Sequence, residues 1–181
     1  FGSSSDIGKR LTSKELITAC KIFKHSFRIS FNNPTISKVE SEKIKQKINK
    51  IKPDFIFYLS SPIIYNGNKN NLKLSRYYNC LYVDYFEKIV NIIKKNNYKK
   101  KIFYPSSFVL ENKKEYRRLE CYILAKERAE KICKLKKNKK IVSLFRIPQL
   151  ISRSNYNMLG FYEGKSLSVL DKFFNNFFEQ V

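Results

Sequence analysis

The sequence has 181 residues, of which 43% are hydrophobic, and a formal net charge of +22. A chain of this length buries roughly two-thirds of its unfolded surface, so we expect one domain with its own core. No apolar run approaches the roughly 18 residues that a membrane-spanning helix needs. The first residues also lack the basic head and apolar stretch of a secretory signal. These features exclude a transmembrane protein and predict a cytoplasmic one.

The positive charge is the first feature that bears on partners, because it favours an anionic surface such as nucleic acid. Lysine is accompanied by abundant Asn, Ile, Phe and Tyr, all encoded by A/T-rich codons, so base composition accounts for the excess. We find no stacking-aromatic motif of the RNA-binding type and do not expect a nucleic-acid partner. The four cysteines form no Cys-x-x-Cys pair and there is one histidine. We therefore predict reduced, structural thiols and no metal site.

A turn rich in serine and glycine comes first in the chain, before a helical segment. Backbone amides in such a turn, and the helix N-terminus behind it, can bind a dinucleotide pyrophosphate. The candidate residues are Gly2, Ser4, Ser5, Asp6, Ile7 and Gly8. Asp6 replaces the middle glycine of the common Gly-x-x-x-Gly-x-Gly form, and the alternative is a serine-rich turn in which Asp6 caps the helix. Only Phe1 remains of the strand that should precede the turn, so we expect further apolar residues upstream.

The elements that follow alternate between helix and strand. Amphipathic spacing predicts helices at residues 9–23 and 38–51, with a weaker strand candidate at 27–31 between them. A strand is predicted at 55–59, a loop at 66–71 and a helix at 82–95. A strand at 102–104, a helix at 122–135 and a strand at 141–145 complete the order. This alternation, with strands that are apolar on both faces, predicts an α/β fold: a doubly wound, Rossmann-like parallel sheet in a three-layer αβα arrangement.

The adenosine end of a dinucleotide site is ambiguous in this sequence. Such sites carry an acidic residue about 20 positions after the glycine turn, where it binds the ribose. The segment at 27–31 ends in Asn32 and Asn33 and has no acidic residue. Arg28 could face a 2′-phosphate and favour NADP, or it could be an exposed arginine on an edge strand. The sequence leaves both NAD and NADP open.

Ser107, Tyr122 and Lys126 form a candidate proton-transfer group. Ser107 follows the predicted strand at 102–104 through Pro105, and ligands of doubly wound sheets bind at the carboxyl ends of strands. Tyr122 and Lys126 are four residues apart and therefore lie on one face of a helix. A nearby ammonium lowers the pKa of a phenol toward the working range, and the serine can bind the substrate oxygen. The alternative is a helix that carries a surface tyrosine.

Taken together, these motifs resemble the short-chain dehydrogenase/reductase family over almost the whole chain. The residues of the motifs are similar to those of the NAD-dependent epimerase/dehydratase-like, extended or atypical branch. The resemblance implies one NAD(P)-binding domain over residues 1–181, with Ser107, Tyr122 and Lys126 as catalytic residues. Tyr122 and Lys126 would also contact the cofactor. Asn79 falls where the family has an asparagine that positions a water in a proton relay to the lysine, and the other cofactor residues implied are Leu59, Ser60, Ser61 and Pro148.

The resemblance implies hydride transfer between NAD or NADP and a secondary alcohol or ketone. The substrate would be a sugar nucleotide, as in epimerases and dehydratases, or a simple carbonyl compound. The residues of the motifs favour a sugar nucleotide, whereas the short segment after Gln149 favours a simple carbonyl compound. Members of this family commonly form homodimers. The alternative is a non-catalytic NAD(P)-binding or scaffold protein with the same fold, which the altered glycine turn favours.

Overall fold

The structure is a computed structural model that describes residues 6–12, 21–25, 29–60, 62, 64–96, 101–150 and 166–179. In these ranges the α-helices are α1 (Asp6–Thr12), α2 (Lys38–Ile51), α3 (Leu72–Asn79), α4 (Tyr85–Lys95), α5 (Glu120–Lys134) and α6 (Leu170–Glu179). The strands are β1 (Phe55–Phe57), β2 (Lys101–Ser107) and β3 (Val142–Ile147). Short 3₁₀ turns cover Phe108–Leu110, Arg117–Leu119 and Leu167–Val169, and a π-helical turn covers Cys80–Asp84.

The described strands form one parallel sheet with β2 between β1 and β3. Phe57 is in register with Phe103, and Ser107 at the end of β2 is in register with Ile147. All three strands therefore end at the same edge of the sheet. The predicted α/β class with a Rossmann-like parallel sheet is confirmed.

Helices cover both faces of this sheet because the strands are apolar on both sides. On one face, a core cluster joins Ile44 of α2, Phe86 and Ile89 of α4 and Ala129 of α5 to the strands. On the opposite face, Phe174 belongs to a second cluster, which joins α6 and α1 to the sheet. These two clusters give the three-layer αβα arrangement that the alternation of elements predicted.

Several predicted boundaries are confirmed and others are wrong. Helix α2 has the predicted bounds, and the Ser37 side chain caps it by accepting a hydrogen bond from the Glu40 amide. The helix predicted at 9–23 does not extend to its predicted end: α1 covers Asp6–Thr12 in the described ranges, and residues 21–23 carry no regular structure. Residues 29–31 are not a strand, which corrects that part of the 27–31 prediction, while residues 13–20 and 26–28 lie outside the described ranges.

The helix predicted at 82–95 is longer than expected. Its path begins at Leu72 and runs through the π-helical turn into α4, with helical backbone angles at Asn79 and Asp84. In the π-helical turn the Tyr85 amide donates to the Cys80 carbonyl, five residues back. Two buried hydroxyls bond to carbonyls of this turn: Tyr58 donates to Leu81, and Tyr104 donates to Tyr82 at 3.4 Å. Side chains that bond to helix carbonyls in this way are a known feature of interrupted helices.

Candidate functional site

The carboxyl end of β2 is built around a proline in the central described strand. The Tyr58 amide donates to the Phe103 carbonyl at 3.0 Å, so Phe103 directs its backbone groups toward β1. Pro105, two residues further, directs its backbone the same way but lies past the end of β1. The N–H that proline lacks would have faced no strand residue of β1, so its absence breaks no hydrogen bond between β1 and β2. This explains why β2 continues to Ser107, whereas the prediction ended the strand at residue 104.

Ser107 and Tyr122 meet at this end of the sheet. Ser107 is the last residue of β2, is buried, and accepts a hydrogen bond from the Val109 amide at 3.4 Å. Tyr122 lies in the first turn of α5 and is 6% exposed. Burial raises the pKa of Tyr122 to about 12, and a hydrogen-bonding interaction with the Ser107 side chain opposes the rise. At neutral pH, Tyr122 is therefore a protonated phenol beside a serine hydroxyl.

Lys126 completes the group one helical turn further along α5. Lys126 is 5% exposed, and its ammonium donates to the Pro105 carbonyl at 2.8 Å. Tyrosine rings surround it, with its nitrogen 4.2 Å from the Tyr82 ring centroid, 5.0 Å from that of Tyr104 and 5.9 Å from that of Tyr122. Cation–π attraction offsets part of the cost of burying the charge. Burial still lowers the pKa of Lys126 to about 7, so the group changes charge near neutral pH.

The side chain of Asn79 bonds to residues outside the group of Ser107, Tyr122 and Lys126. Asn79 is the last residue of α3, and its amide nitrogen donates to the Ser75 carbonyl at 2.8 Å. Its side-chain oxygen accepts a hydrogen bond from Arg128 at 2.9 Å. Ser107, Tyr122 and Lys126 therefore meet at one place, whereas the Asn79 side chain joins α3 to the outer side of α5.

Sequence reasoning missed a polar cluster behind the site. Glu130 lies on α5 and is 3% exposed, yet it binds Ser106 on β2 and Arg146 on β3. One signal was present: Glu130 follows Lys126 by four residues and stands on the apolar face of the helix next to Ala129. A charge on a buried face indicates a partner in the core.

The predicted cofactor residues are only partly described. Helix α1 begins at Asp6, so Ile7 and Gly8 lie in its first turn and not in a preceding loop. Leu59 and Ser60 lie two and three residues after the end of β1, and Leu59 is buried. The Ser60 hydroxyl is buried and has no hydrogen-bond partner among the described residues. Pro148 follows β3, and the remaining predicted residues, Gly2, Ser4, Ser5 and Ser61, lie outside the described ranges.

A cavity of about 840 Å³ lies beside β1. Its walls include Gly8 and Leu11 of α1, Ile48 near the end of α2, Phe57 of β1 and Leu59. It does not extend to Ser107, Tyr122 or Lys126. The cavity therefore adjoins the predicted cofactor end of the site and not the candidate proton-transfer group.

Comparisons with known proteins support the fold. No family model and no curated protein matches the chain. Among solved structures, the chain is similar to a monomeric L-threonine 3-dehydrogenase from a metagenome database, with 20% identity and a TM-score of 0.54, over 88% of this chain and 56% of that one. It is also similar to the capsular polysaccharide assembling protein CapF from Staphylococcus aureus, with 20% identity and a TM-score of 0.46, over 82% of this chain and 34% of that one. The chain thus spans between about a third and just over half of the lengths of these proteins.

The likeness to the dehydrogenase agrees with the three-layer α/β fold described above. In the part of the chain that the structure describes, we find no helix with the length and apolar character needed to cross a bilayer.

Proposed function

We propose that this chain is an NAD(P)-dependent oxidoreductase of the short-chain dehydrogenase/reductase type. Its reaction would be hydride transfer at a secondary alcohol or ketone, and a sugar-nucleotide epimerase or dehydratase is the more specific form of the proposal. One observation carries it: Ser107, Tyr122 and Lys126 meet at the carboxyl end of β2. Ligands of doubly wound sheets bind at this edge.

Each side chain has a role that its surroundings support. Tyr122, with its pKa raised by burial to about 12, is protonated at neutral pH and can donate its proton to a ketone oxygen. The Ser107 hydroxyl lies beside it and can bind the same oxygen. In the reverse direction Tyr122 must act as a base, and the Lys126 ammonium, 5.9 Å from its ring centroid, stabilises the phenolate. The nicotinamide ring, when bound, supplies or accepts the hydride.

The described residues fit a dinucleotide in two respects. Ser60 presents a buried hydroxyl that lacks a partner among the described residues, at the end of β1 where the adenosine half is expected. Lys126 has three N–H groups, of which one is used on the Pro105 carbonyl, so two remain to bind ribose hydroxyls. The cavity along Gly8 and Leu59 adjoins the same edge of the sheet. NAD and NADP remain equal candidates.

A non-catalytic NAD(P)-binding or scaffold protein is the second candidate. The burial of Tyr122 favours it, because a side chain that is 6% exposed offers little surface to a substrate. Asp6 in place of the middle glycine of the turn favours it as well.

Replacement of the Tyr122 hydroxyl tests the proposal. Tyr122→Phe should reduce turnover by at least about 100-fold, the usual contribution of a general acid. Binding of NADH and NADPH, followed by fluorescence titration, should change little, because the ring that packs against Tyr82 is retained. Turnover is followed as oxidation of NADH or NADPH with a panel of small ketones, and as reduction of the oxidised cofactors with nucleotide-linked sugars.

Tyr85→Phe serves as the matched control, because Tyr85 is equally buried but belongs to the core between α4 and α2. It should turn over as the wild type does. Wild-type rates in Tyr122→Phe would contradict the catalytic role. Failure of the wild-type protein to bind either nucleotide would favour the scaffold.

A further inference from the structure

Glu130 is a buried carboxylate that the proton-transfer group does not include. Its Oε1 accepts hydrogen bonds from Ser106 Oγ at 2.7 Å and from Arg146 Nε at 2.9 Å. Its Oε2 accepts from Arg146 Nη2 at 3.0 Å and from Lys134 Nζ at 2.6 Å. Burial alone would raise the pKa of Glu130, but these hydrogen bonds outweigh it and lower the pKa to about 2. The Glu130 carboxylate is therefore ionised at neutral pH.

Glu130 and Lys126 hold neighbouring residues of one strand. They are one helical turn apart on the same face of α5. Lys126 binds the carbonyl of Pro105, and Glu130 binds the hydroxyl of Ser106. Helix α5 thus holds two successive residues of β2, directly before Ser107. Through Arg146, the same carboxylate also holds β3.

The charge of Lys126 depends on few groups. Facing its ammonium from the π-helical turn and from β2 are tyrosine rings, which are uncharged at neutral pH. From α5 itself, Cys133 when ionised and Glu130 both oppose the lowering of the Lys126 pKa by burial. Burial, however, raises the pKa of Cys133 to about 12, so this thiol is neutral at pH 7. Among these groups, Glu130 is the anion that supports the ammonium.

We propose that Glu130 is a positioning residue: it fixes the ends of β2 and β3 against α5 and supports the positive charge of Lys126. It acts through Ser106, Arg146 and Lys126 and does not need to touch a substrate. Its importance for catalysis rests on the proposed function, whereas its effect on Lys126 does not. A purely structural role as an ion pair between helix and sheet would leave the charge of Lys126 unchanged.

The charge of Lys126 can be followed directly, without cofactor or substrate. In protein labelled with ¹⁵N-lysine, Nζ signals are recorded between pH 5.5 and 9, and the Lys126→Arg variant assigns the signal that titrates near pH 7. Glu130→Gln retains the shape of the side chain but removes its charge, and should lower this midpoint by about one pH unit or more. Glu127→Gln, on the outer side of α5 where Glu127 pairs with Lys113, should leave it unchanged.

Two further variants keep the test decisive if Glu130→Gln does not fold. Glu130→Asp keeps the charge but moves it by one methylene, so the Lys126 midpoint should fall by less than in Glu130→Gln. If Glu130→Gln does not fold, the expected result for Glu130→Asp is a fall of a few tenths of a pH unit relative to the wild type. Cys133→Ala should leave the midpoint unchanged. A midpoint that is unaffected by every change at Glu130, or that falls only in Cys133→Ala, would overturn the proposal.

Nucleotide titrations separate this inference from the proposed function. If the wild type turns over, Glu130→Gln should shift the pH profile of turnover to lower pH by the amount that the Lys126 midpoint shifts. An unshifted profile beside a shifted midpoint would overturn the link to catalysis. If the wild type binds neither NADH nor NADPH, the proposed function fails, and the Lys126 titration alone decides the role of Glu130.

Discussion

The ammonium of Lys126 illustrates what a single residue contributes to this site. It is enclosed by the rings of Tyr82, Tyr104 and Tyr122, and burial brings its pKa from 10.5 to about 7. A lysine with this pKa changes charge near neutral pH. The lowered pKa makes the folded protein less stable, because Lys126 has its ordinary pKa in the unfolded chain.

The pH dependence of stability follows from that difference. Between pH 7 and 10.5 the unfolded chain holds the Lys126 proton and the folded chain releases it, so stability should rise with pH through this window. Below pH 7 both states hold the proton and the destabilisation is complete. Lys126→Met should therefore be more stable than the wild type at pH 6.5. Its advantage should shrink above pH 7, by roughly 1.4 kcal/mol per pH unit at most.

Urea unfolding of both proteins at pH 6.5, 7.5 and 8.5 measures this effect. Lys131→Met, at an exposed position on the same helix, is the control and should show a constant difference from the wild type. An advantage of Lys126→Met that does not vary with pH would contradict the lowered pKa of Lys126.

Residue-level prediction succeeded where partners are close in sequence. Tyr122 and Lys126 are four residues apart, so helical periodicity alone places them on one face. Glu130 was missed because its partners Ser106 and Arg146 are 24 and 16 residues away and reach it only through the strand order. The Arg128 partner of the Asn79 side chain was not predictable either, because it lies on another helix.

At the scale of elements, the π-helical turn at Cys80–Asp84 shapes the wall that faces Lys126. Tyr58 and Tyr104 rise from the sheet and donate to the carbonyls of Leu81 and Tyr82 within this turn. Their bonds tie the helix to the ends of β1 and β2. The wider turn also places the Tyr82 ring against the Lys126 ammonium.

Removal of these hydroxyls should cost stability in a definite order. Tyr58→Phe leaves a buried carbonyl without its donor and should lower the free energy of unfolding by about 1–2 kcal/mol. Tyr104→Phe should cost less, because its bond to Tyr82 is long, at 3.4 Å. Guanidinium unfolding of both variants provides the comparison. Equal losses, or a larger one for Tyr104→Phe, would contradict the assignment of these hydrogen bonds.

Element boundaries were predictable where local chemistry sets them. Ser37 caps α2, and that helix was predicted at its observed bounds. Strand β2 was predicted too short because a proline normally ends a central strand, and only the early end of β1 makes Pro105 harmless. The segment from Leu72 to Leu81 was not predicted as helix, although Leu74 and Tyr78 are buried one helical turn apart in α3, a spacing that the sequence already shows.

At the scale of the whole molecule, helix α6 closes the second face of the sheet with aromatic rings. Phe177 is fully buried and lies 5.2 Å from the Phe57 ring centroid and 5.5 Å from that of Phe103. An ion pair of 2.7 Å between Arg10 and Asp171 joins α6 to α1. In the described ranges, the layer opposite α5 therefore consists of α6 and α1.

Loss of this aromatic packing should destabilise the entire fold. Phe177→Ala should lower the free energy of unfolding by about 3–5 kcal/mol, the usual range for a buried phenylalanine. Phe173→Ala, at a partly buried position on the same helix, should cost clearly less. Thermal unfolding followed by circular dichroism compares the two. Similar losses would show that α6 does not cover the sheet as described.

Pro105 has a consequence for how the sheet can open to a ligand. Strands β1 and β2 separate after the Tyr58 amide bonds to Phe103. A residue with an N–H at position 105 could extend the ladder and draw the two strand ends together, whereas proline has no hydrogen to donate. The Pro105 carbonyl accepts its hydrogen bond from the Lys126 ammonium instead of from a strand. Proline at position 105 therefore prevents its own residue from adding an amide to the β1–β2 ladder, whether or not a molecule is bound at the strand ends.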